Sequence, residues 1–373
     1  MSSTSRRELP LVVDYGLIPI LNLSVAFLIS GLVVLAIGEN PLEAVAIMIR
    51  GALGYSEGIG FTLYYTTDFV FTGLAVAVAF HAGLFNIGAE GQATLGGLGV
   101  ALVCLTFDGA PWWLVFPFAL AASMAFGAAW AFVPAWAQAR RGSHIVITTI
   151  MFNYLAATLM VWVLVELMSE PGTMSPESRT FAEATRLPFL RDFLTPWGID
   201  LGQSPLNPMV FVAILAAIFV WVLVWRTRLG FQIRTVGKNP IAAVYAGIDP
   251  GHVVIVAMLI SGALSGLLAV NEVMGTQHRL LLEFVAGAGF VGIAVALMGR
   301  SHPFGVVLAS LLFGILYQGG AELAFEKPKI SRDMIVVIQA LVILFAGALE
   351  HMFRPGLVKL LDRPRAVAAR GGA

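Results

Sequence analysis

The densest chemistry in this chain lies in twelve residues, His81 to Gln92 (HAGLFNIGAEGQ). There His81, Asn86, Glu90 and Gln92 stand among three glycines, between two apolar halves that would otherwise run on as one. Non-helical backbone at membrane depth is tolerated where it is buried in protein or lines a watery cavity. A carboxylate at that depth is expensive enough to mark function. Glu90, Asn86, Gln92 and His81 therefore suit the wall of a passage for a polar solute, with Phe85 available to stack on a planar one. The same residues also suit a plain hairpin turn in which Glu90 is merely solvated. Asn153 and the pair Asn271–Glu272 are further candidates for solute contact, although interhelical hydrogen bonding is the competing role of an intramembrane Asn. Glu166 and Glu283 fall near the ends of apolar runs, where solvation explains them.

A second constellation is Trp225 to Pro250, WRTRLGFQIRTVGKNPIAAVYAGIDP. Asn239 can cap a helix, Pro240 suits its first position, and Gly247 can close it in the left-handed conformation. The helix between them has about two turns, too short to persist alone in water. Loaded with Ala and set beside Arg226, Arg228, Arg234 and Lys238, it is suited to dock into another protein. The alternative is a juxtamembrane loop whose arginines only set topology.

Covalent chemistry has no obvious engine. The sequence holds no GxxxxGK[ST] phosphate loop, no HExxH and no GxSxG elbow, and its six histidines are scattered. The single Cys104 lies in an apolar run, which leaves no disulfide framework and no cysteine metal site. No catalytic residue, metal site or bound cofactor is expected.

These residues must be positioned by membrane helices. Of the 373 residues, 58 % are hydrophobic and 12 % charged, where a soluble domain has about half and about a quarter. Lys+Arg and Asp+Glu both number 22, so net charge gives no lead to a nucleic-acid partner. The length criterion yields about ten spans, near 16–37, 62–80, 92–107, 112–136, 145–168, 208–225, 252–274, 281–298, 303–320 and 335–353, with 38–60 at the interface. MSSTSRRELP resembles the charged region of a signal peptide, but the stretch after it is long enough to be an uncleaved first helix. The positive-inside rule puts residues 1–15, the basic stretch 226–251 and the tail 354–373 in the cytoplasm, and 169–207 outside. Helices 2–5 and 7–10 would then have opposite orientations, as in an inverted repeat with its pathway at the interface and broken helices nearby. The fold class is an all-α polytopic membrane protein with a permease domain over 16–353. Gly262 and Gly266 in SGALSG read as helix-packing positions rather than as a site.

GLFNIGAEGQATLGG, ITTIMFNYLA, RTRLGFQIRTVGKNPIAAVYAGI and GFVGIAVALMGRSHPFGVVLASLLFG occur in order along nearly the whole membrane region. Together they resemble the signature stretches of bacterial ABC-transporter permeases. The nearest group is the simple-sugar and nucleoside permeases, within the broad family that includes ribose and branched-chain amino-acid permeases. The resemblance implies the pore subunit of an ATP-driven importer in the inner membrane. It implies that ATP and magnesium are held by a separate ATPase, that an extracytoplasmic binding protein delivers the solute, and that a second, different permease completes the pore. It also makes the capped helix a coupling helix, carried here by Arg234, Gly237, Asn239, Pro240, Ala242, Ala243, Ala246 and Gly247, with an Ala-sized contact at Ala243. Ser143–His144 departs from the pattern and gains no role. The competing function is an ion-coupled secondary transporter using Glu90, Glu166 or Glu272.

Overall fold

The computed structural model describes residues 18–169, 172, 175–331 and 334–341. The expected segments 1–15 and 354–373, and the larger part of the tenth span, lie outside the described residues. In chain order the helices are α1 Ile18–Ala36, α2 Pro41–Leu53, α3 Ser56–His81, α4 Ala89–Thr106, α5 Trp112–Arg141, α6 Ile145–Trp162, α7 Leu190–Leu194, α8 Met209–Arg226, α9 Arg228–Lys238, α10 Pro240–Tyr245, α11 Pro250–Ala269, α12 Ala288–Met298 and α13 Pro303–Glu326. Helix α6 runs on into π-helical Val163–Leu167, and α11 into π-helical Val270–Gln277. Among the described residues there is no strand, only the isolated bridges Ser169–Ser178 and Glu177–Leu281.

Among the described residues, six helices are long and apolar enough to cross a membrane: α3, α5, α6 with its π turn, α8, α11 with its π turn, and α13. Ser24–Ala36 and Pro41–Leu53, bent by 114°, would together add a seventh. Of the expected spans within the described residues, 92–107 and 281–298 fall short of that length and apolarity. Of the expected span 281–298 only the 11 residues of α12 are helical, about 16 Å of rise against a hydrocarbon core of about 30 Å. Left-handed residues close it on both sides, at Gly287 and at Arg300–Ser301. Helix α4 carries Glu90, Gln92, Gly91, Gly96, Gly97 and Gly99, and falls short of the apolarity of the six.

The chain forms two units, one from the described parts of 1–49 and 319–373 and one from Arg50–Gln318. In the first, Lys327 Nζ lies 2.8 Å from Glu43 Oε1 and 3.4 Å from Glu39 Oε2, and Lys329 Nζ reaches the other Glu39 oxygen at 3.4 Å. In the second, α3 is the enclosed helix: 83 % of its apolar stretch is buried, against 22 % for the α6 span. Its Thr62, Thr66, Thr67, Asp68 and Thr72 are all buried, and polar groups of this kind find partners in protein that lipid does not offer.

Helix α11 packs on α5 and α4 at distances that only glycine permits. A Cβ on Gly266 would lie 2.9 Å from the Ser123 carbonyl carbon, one on Gly262 would lie 2.6 Å from Ala131 Cβ, and one on Gly96 would lie 2.7 Å from Gly266 Cα. Gly262 and Gly266 thus serve helix packing, as their spacing suggested. Outside the spans, Arg179 and the Ala182 N–H both bind Asp108, stitching the 175–187 stretch to the α4–α5 turn. The Ala182 N–H and the Arg179 guanidinium hold the Asp108 carboxyl below the usual carboxylate range. Replacing Gly266 by Val should force α4 and α5 off α11 and lower stability by about 1–3 kcal/mol. The check is the thermal midpoint of the detergent-solubilised protein.

Candidate functional site

The chemistry-bearing stretch 81–92 is where α3 breaks and α4 begins. The break is set by local backbone bonding. Gly83, with φ +75°, donates its N–H to Phe80 O at 2.9 Å, and the Leu84 N–H reaches Ala79 O at 3.0 Å. This is the left-handed closure that glycine favours at a helix end. The next residues leave the helical ladder, so their polar groups need other partners.

Two asparagines supply them. Asn86 is fully buried, and its Oδ1 accepts the Gly88 N–H at 2.8 Å. Its Nδ2 donates to Ser261 Oγ at 2.9 Å and to Gln92 Oε1 at 3.1 Å, and the Ser261 hydroxyl donates in turn to Ala75 O at 2.7 Å. Asn153, from α6, accepts the Gly91 N–H at 2.9 Å and donates to Ile87 O at 2.9 Å. A satisfied buried network of this kind fixes one arrangement.

Glu90 sits in the first turn of α4 and reaches across to α12. Its Oε1 accepts the Gly287 N–H and its Oε2 the Gly289 N–H, both at 2.9 Å. A carboxylate at these N–H groups meets the positive end of the α12 dipole. Gly289 has to be bare, because a Cβ there would lie 2.6 Å from Glu90 Cα. Glu90 is therefore neither a free wall group nor a solvated turn residue. It joins the broken end of one helix to the start of another.

A cavity of about 570 Å³ opens beside this junction, lined by Glu90, Thr94, Asn153, Tyr154, Glu283 and Phe290 among others. That volume falls within the ~300–1,000 Å³ of small-molecule sites, as does its apolar lining with a few polar groups. Tyr154 is 68 % and Phe290 49 % exposed, so two aromatic rings stand at an open side. Of the seven expected pathway residues, the structure brings Glu90 and Asn153 to this cavity. Phe85 packs on Phe80 at 5.2 Å, and Asn86 and Gln92 lie in the buried bracket behind it. His81 binds Ser301 O at 2.9 Å.

Asn271 and Glu272 belong to a separate buried cluster. Asn271 Nδ2 donates to Asp68 Oδ1 at 2.9 Å, Asn207 Nδ2 donates to Asn271 Oδ1 at 2.9 Å, and the Tyr64 hydroxyl donates to Glu272. Sequence reading missed Asp68, Tyr64 and Asn207. The signal for Asp68 was present, as a carboxylate inside an apolar run.

The basic stretch is a pair of helices. Thr227 caps α9 by accepting the Gly230 N–H at 3.0 Å. Asn239 caps α10, accepting the Ile241 and Ala242 N–H groups at 3.0 Å, with Pro240 at the first position and Gly247 left-handed after the end. Ala243 turns inward: it is fully buried in a cluster with Ala79, Leu84, Ile233 and Val253. The outward face of α10 is instead Ile241, Val244 and Tyr245, which are 70 %, 59 % and 90 % exposed. Ala242, Ala246 and Gly247 are exposed, whereas Arg234 and Gly237 are half-buried.

The family model for the branched-chain amino acid transport system permease component matches residues 58–347. The nucleoside ABC transporter permease protein NupB of Lactococcus lactis is 33 % identical over 331 residues, covering 88 % of this chain and 90 % of that protein. The guanosine ABC transporter permease protein NupP of Bacillus subtilis is 33 % identical over 344 residues, covering 92 % and 96 %. The glucose ABC transporter permease protein TsgB13 of Haloferax volcanii is 34 % identical over 361 residues, covering 96 % and 93 %.

Replacing Asn86 by Leu should strand the Gly88 N–H and unseat Ser261. The expected loss is about 1–3 kcal/mol, read as a lower thermal midpoint with faster hydrogen exchange confined to residues 82–92.

Proposed function

The chain belongs to the branched-chain amino acid transport system permease family, and on that premise we propose that it is the membrane-spanning permease subunit of an ATP-binding-cassette importer. Its solute is a nucleoside or a simple sugar, the classes named in the relatives from Lactococcus, Bacillus and Haloferax. The observation that carries the importer reading is the outward face of α10. Ile241, Val244 and Tyr245 form one apolar stripe on a rigidly capped two-turn helix beside Arg226, Arg228 and Lys238. An apolar helix end rimmed by cations suits a cytoplasmic ATPase, which would hold the ATP and magnesium that this chain is not expected to bind.

In this reading 226–251 and both termini face the cytoplasm, and 169–207 faces outward to receive a solute-binding protein in the inner membrane. The positive-inside rule supports that orientation. We retain about ten membrane-entering segments, counting α4 and α12 as segments that enter the bilayer, and an inverted repeat between helices 2–5 and 7–10. The Glu90 junction supports the repeat, because it pairs the broken segment of one half with that of the other. The open side of the cavity, at Tyr154 and Phe290, is where a second permease would complete the pathway, and we expect that partner to be a different chain. The ion-coupled alternative is not favoured, since these relatives are ABC permeases.

Tyr245→Ala should weaken capture of the ATPase by about 2 kcal/mol, as for a central aromatic contact, or roughly thirty-fold. It should leave membrane insertion intact. The measurement is co-purification of the ATPase from native membranes, and retention equal to the unaltered chain would remove α10 from the docking surface. Glu90→Ala should retain the ATPase and depress solute uptake, since it frees α12 at the cavity. Uptake kinetics unchanged by that substitution would separate the cavity from transport.

A further inference from the structure

The coupling segment and the broken helix touch backbone to backbone. Gly237 is the penultimate residue of α9, two positions before the Asn239 cap. A Cβ placed on it would lie 2.8 Å from Gly83 N and 2.9 Å from Ala82 C. A Cβ on Gly83 would lie 3.2 Å from both Gly237 Cα and Gly237 O. No flexible side chain intervenes to absorb a displacement at this point. We propose that the Gly83–Gly237 contact is the joint through which movement of the coupling helix reaches the solute cavity, an inference that rests on the importer reading above.

On the far side of the joint the parts are held without slack. Gly83 closes α3, and three residues on Asn86 is bonded at both polar atoms of its side chain. Asn153 brackets the entry to α4, and Glu90 then holds the start of α12 through the Gly287 and Gly289 N–H groups. The same joint reaches the other end of α12. His81, whose carbonyl also faces Gly237, binds Ser301 O at 2.9 Å, in the left-handed turn that follows that helix. Helix α12 is thus tied at both ends to the four residues His81–Leu84 and the bracket behind them. A push at Gly237 would carry α12, and with it Phe290 and the cavity wall, as a body.

The space to move is present. A second cavity of about 340 Å³ adjoins the joint, bounded by Gly83, Gly237, Gln138, Ala139, Pro250 and Gly251. Gln138 Oε1 is buried there without a hydrogen-bond partner among the described residues. Close-packed contacts transmit displacement, whereas voids permit it. The joint has one of each, the close contact and the void beside it. Coupling between two sites requires an element with two arrangements that both sites bias, and the block from Gly83 to α12 is that element.

The test uses the complex purified from native membranes through this chain and reconstituted with its binding protein, with solute uptake and ATP hydrolysis read together. Gly83→Asn keeps a residue that tolerates the left-handed turn while placing a Cβ against Gly237. Expected are an intact complex, basal ATP hydrolysis within about two-fold of the unaltered one, and solute-stimulated hydrolysis and uptake both reduced about ten-fold, within the 5–150-fold span of typical couplings. Gly237→Ala, which crowds the contact from the other partner, should show the same loss of stimulation. Full stimulation and uptake in both variants would overturn the joint. So would failure of both to assemble, which would make the contact one of packing only. A wild-type chain that brings down no ATPase would instead overturn the importer reading, and the joint with it.

Discussion

Backbone leaving a helix inside a membrane must find hydrogen-bond partners within the protein, since lipid offers none. The stretch from Ala82 to Gly88 meets that demand, and the rest of the larger unit is arranged around the way it does so. Gly83 and Leu84 return their N–H groups to the end of α3. Asn86 and Asn153 take up the groups that follow, and each of those side chains in turn needs a helix beside it: α11 for Asn86 through Ser261, and α6 for Asn153. Gly96, Gly127, Gly262 and Gly266 let α4, α5 and α11 come close enough to hold that arrangement. The cavity is what remains where the broken end faces α12, and Glu90 is the strut across it.

The same constraint distributes the polar residues into two kinds. Asn86, Gln92, Ser261 and Asn153 spend their hydrogen-bonding capacity on the chain itself. Tyr154 and Glu283 stand at the cavity wall with exposed surface. The Asp68–Glu272 cluster is of the first kind. It ties α3 to the π-helical end of α11, and through Asn207, whose Oδ1 also accepts the Met209 N–H at the start of α8, it reaches a third helix. A mid-helix π turn departs from the ordinary ladder and is often found where function requires it. Here it turns Asn271 and Glu272 toward α3.

How much of this was legible in the sequence followed the range of the forces involved. Asn239, Pro240 and Gly247 were read correctly as a capped helix, because capping is settled within a few residues. Gly262 and Gly266 were read correctly as packing positions from their four-residue spacing. Asn86 was recognised as out of place in apolar surroundings, but its partner Ser261 is 175 residues away, so its task was invisible until the fold was known. Ala243 looked like a contact for another protein, and only the burial of α10 against Leu84 and Ile233 turned that face inward. Helix α9 was hidden by its arginines, which obscured the burial of Ile233 and Val236. The shortness of α12 was hidden by an apolar run that continues past the helix into left-handed turns.

Transport driven by a separate ATPase makes a direct demand on the isolated complex. Material purified from native membranes through this chain, placed in liposomes with the binding protein outside and ATP supplied on the α10 side, should accumulate labelled nucleoside or sugar. It should stop when ATP is replaced by a non-hydrolysable analogue, and it should be indifferent to an uncoupler. Recovery of the chain without an ATPase, together with accumulation that follows a proton or sodium gradient, would contradict the importer reading and return the buried carboxylates to consideration as the engine.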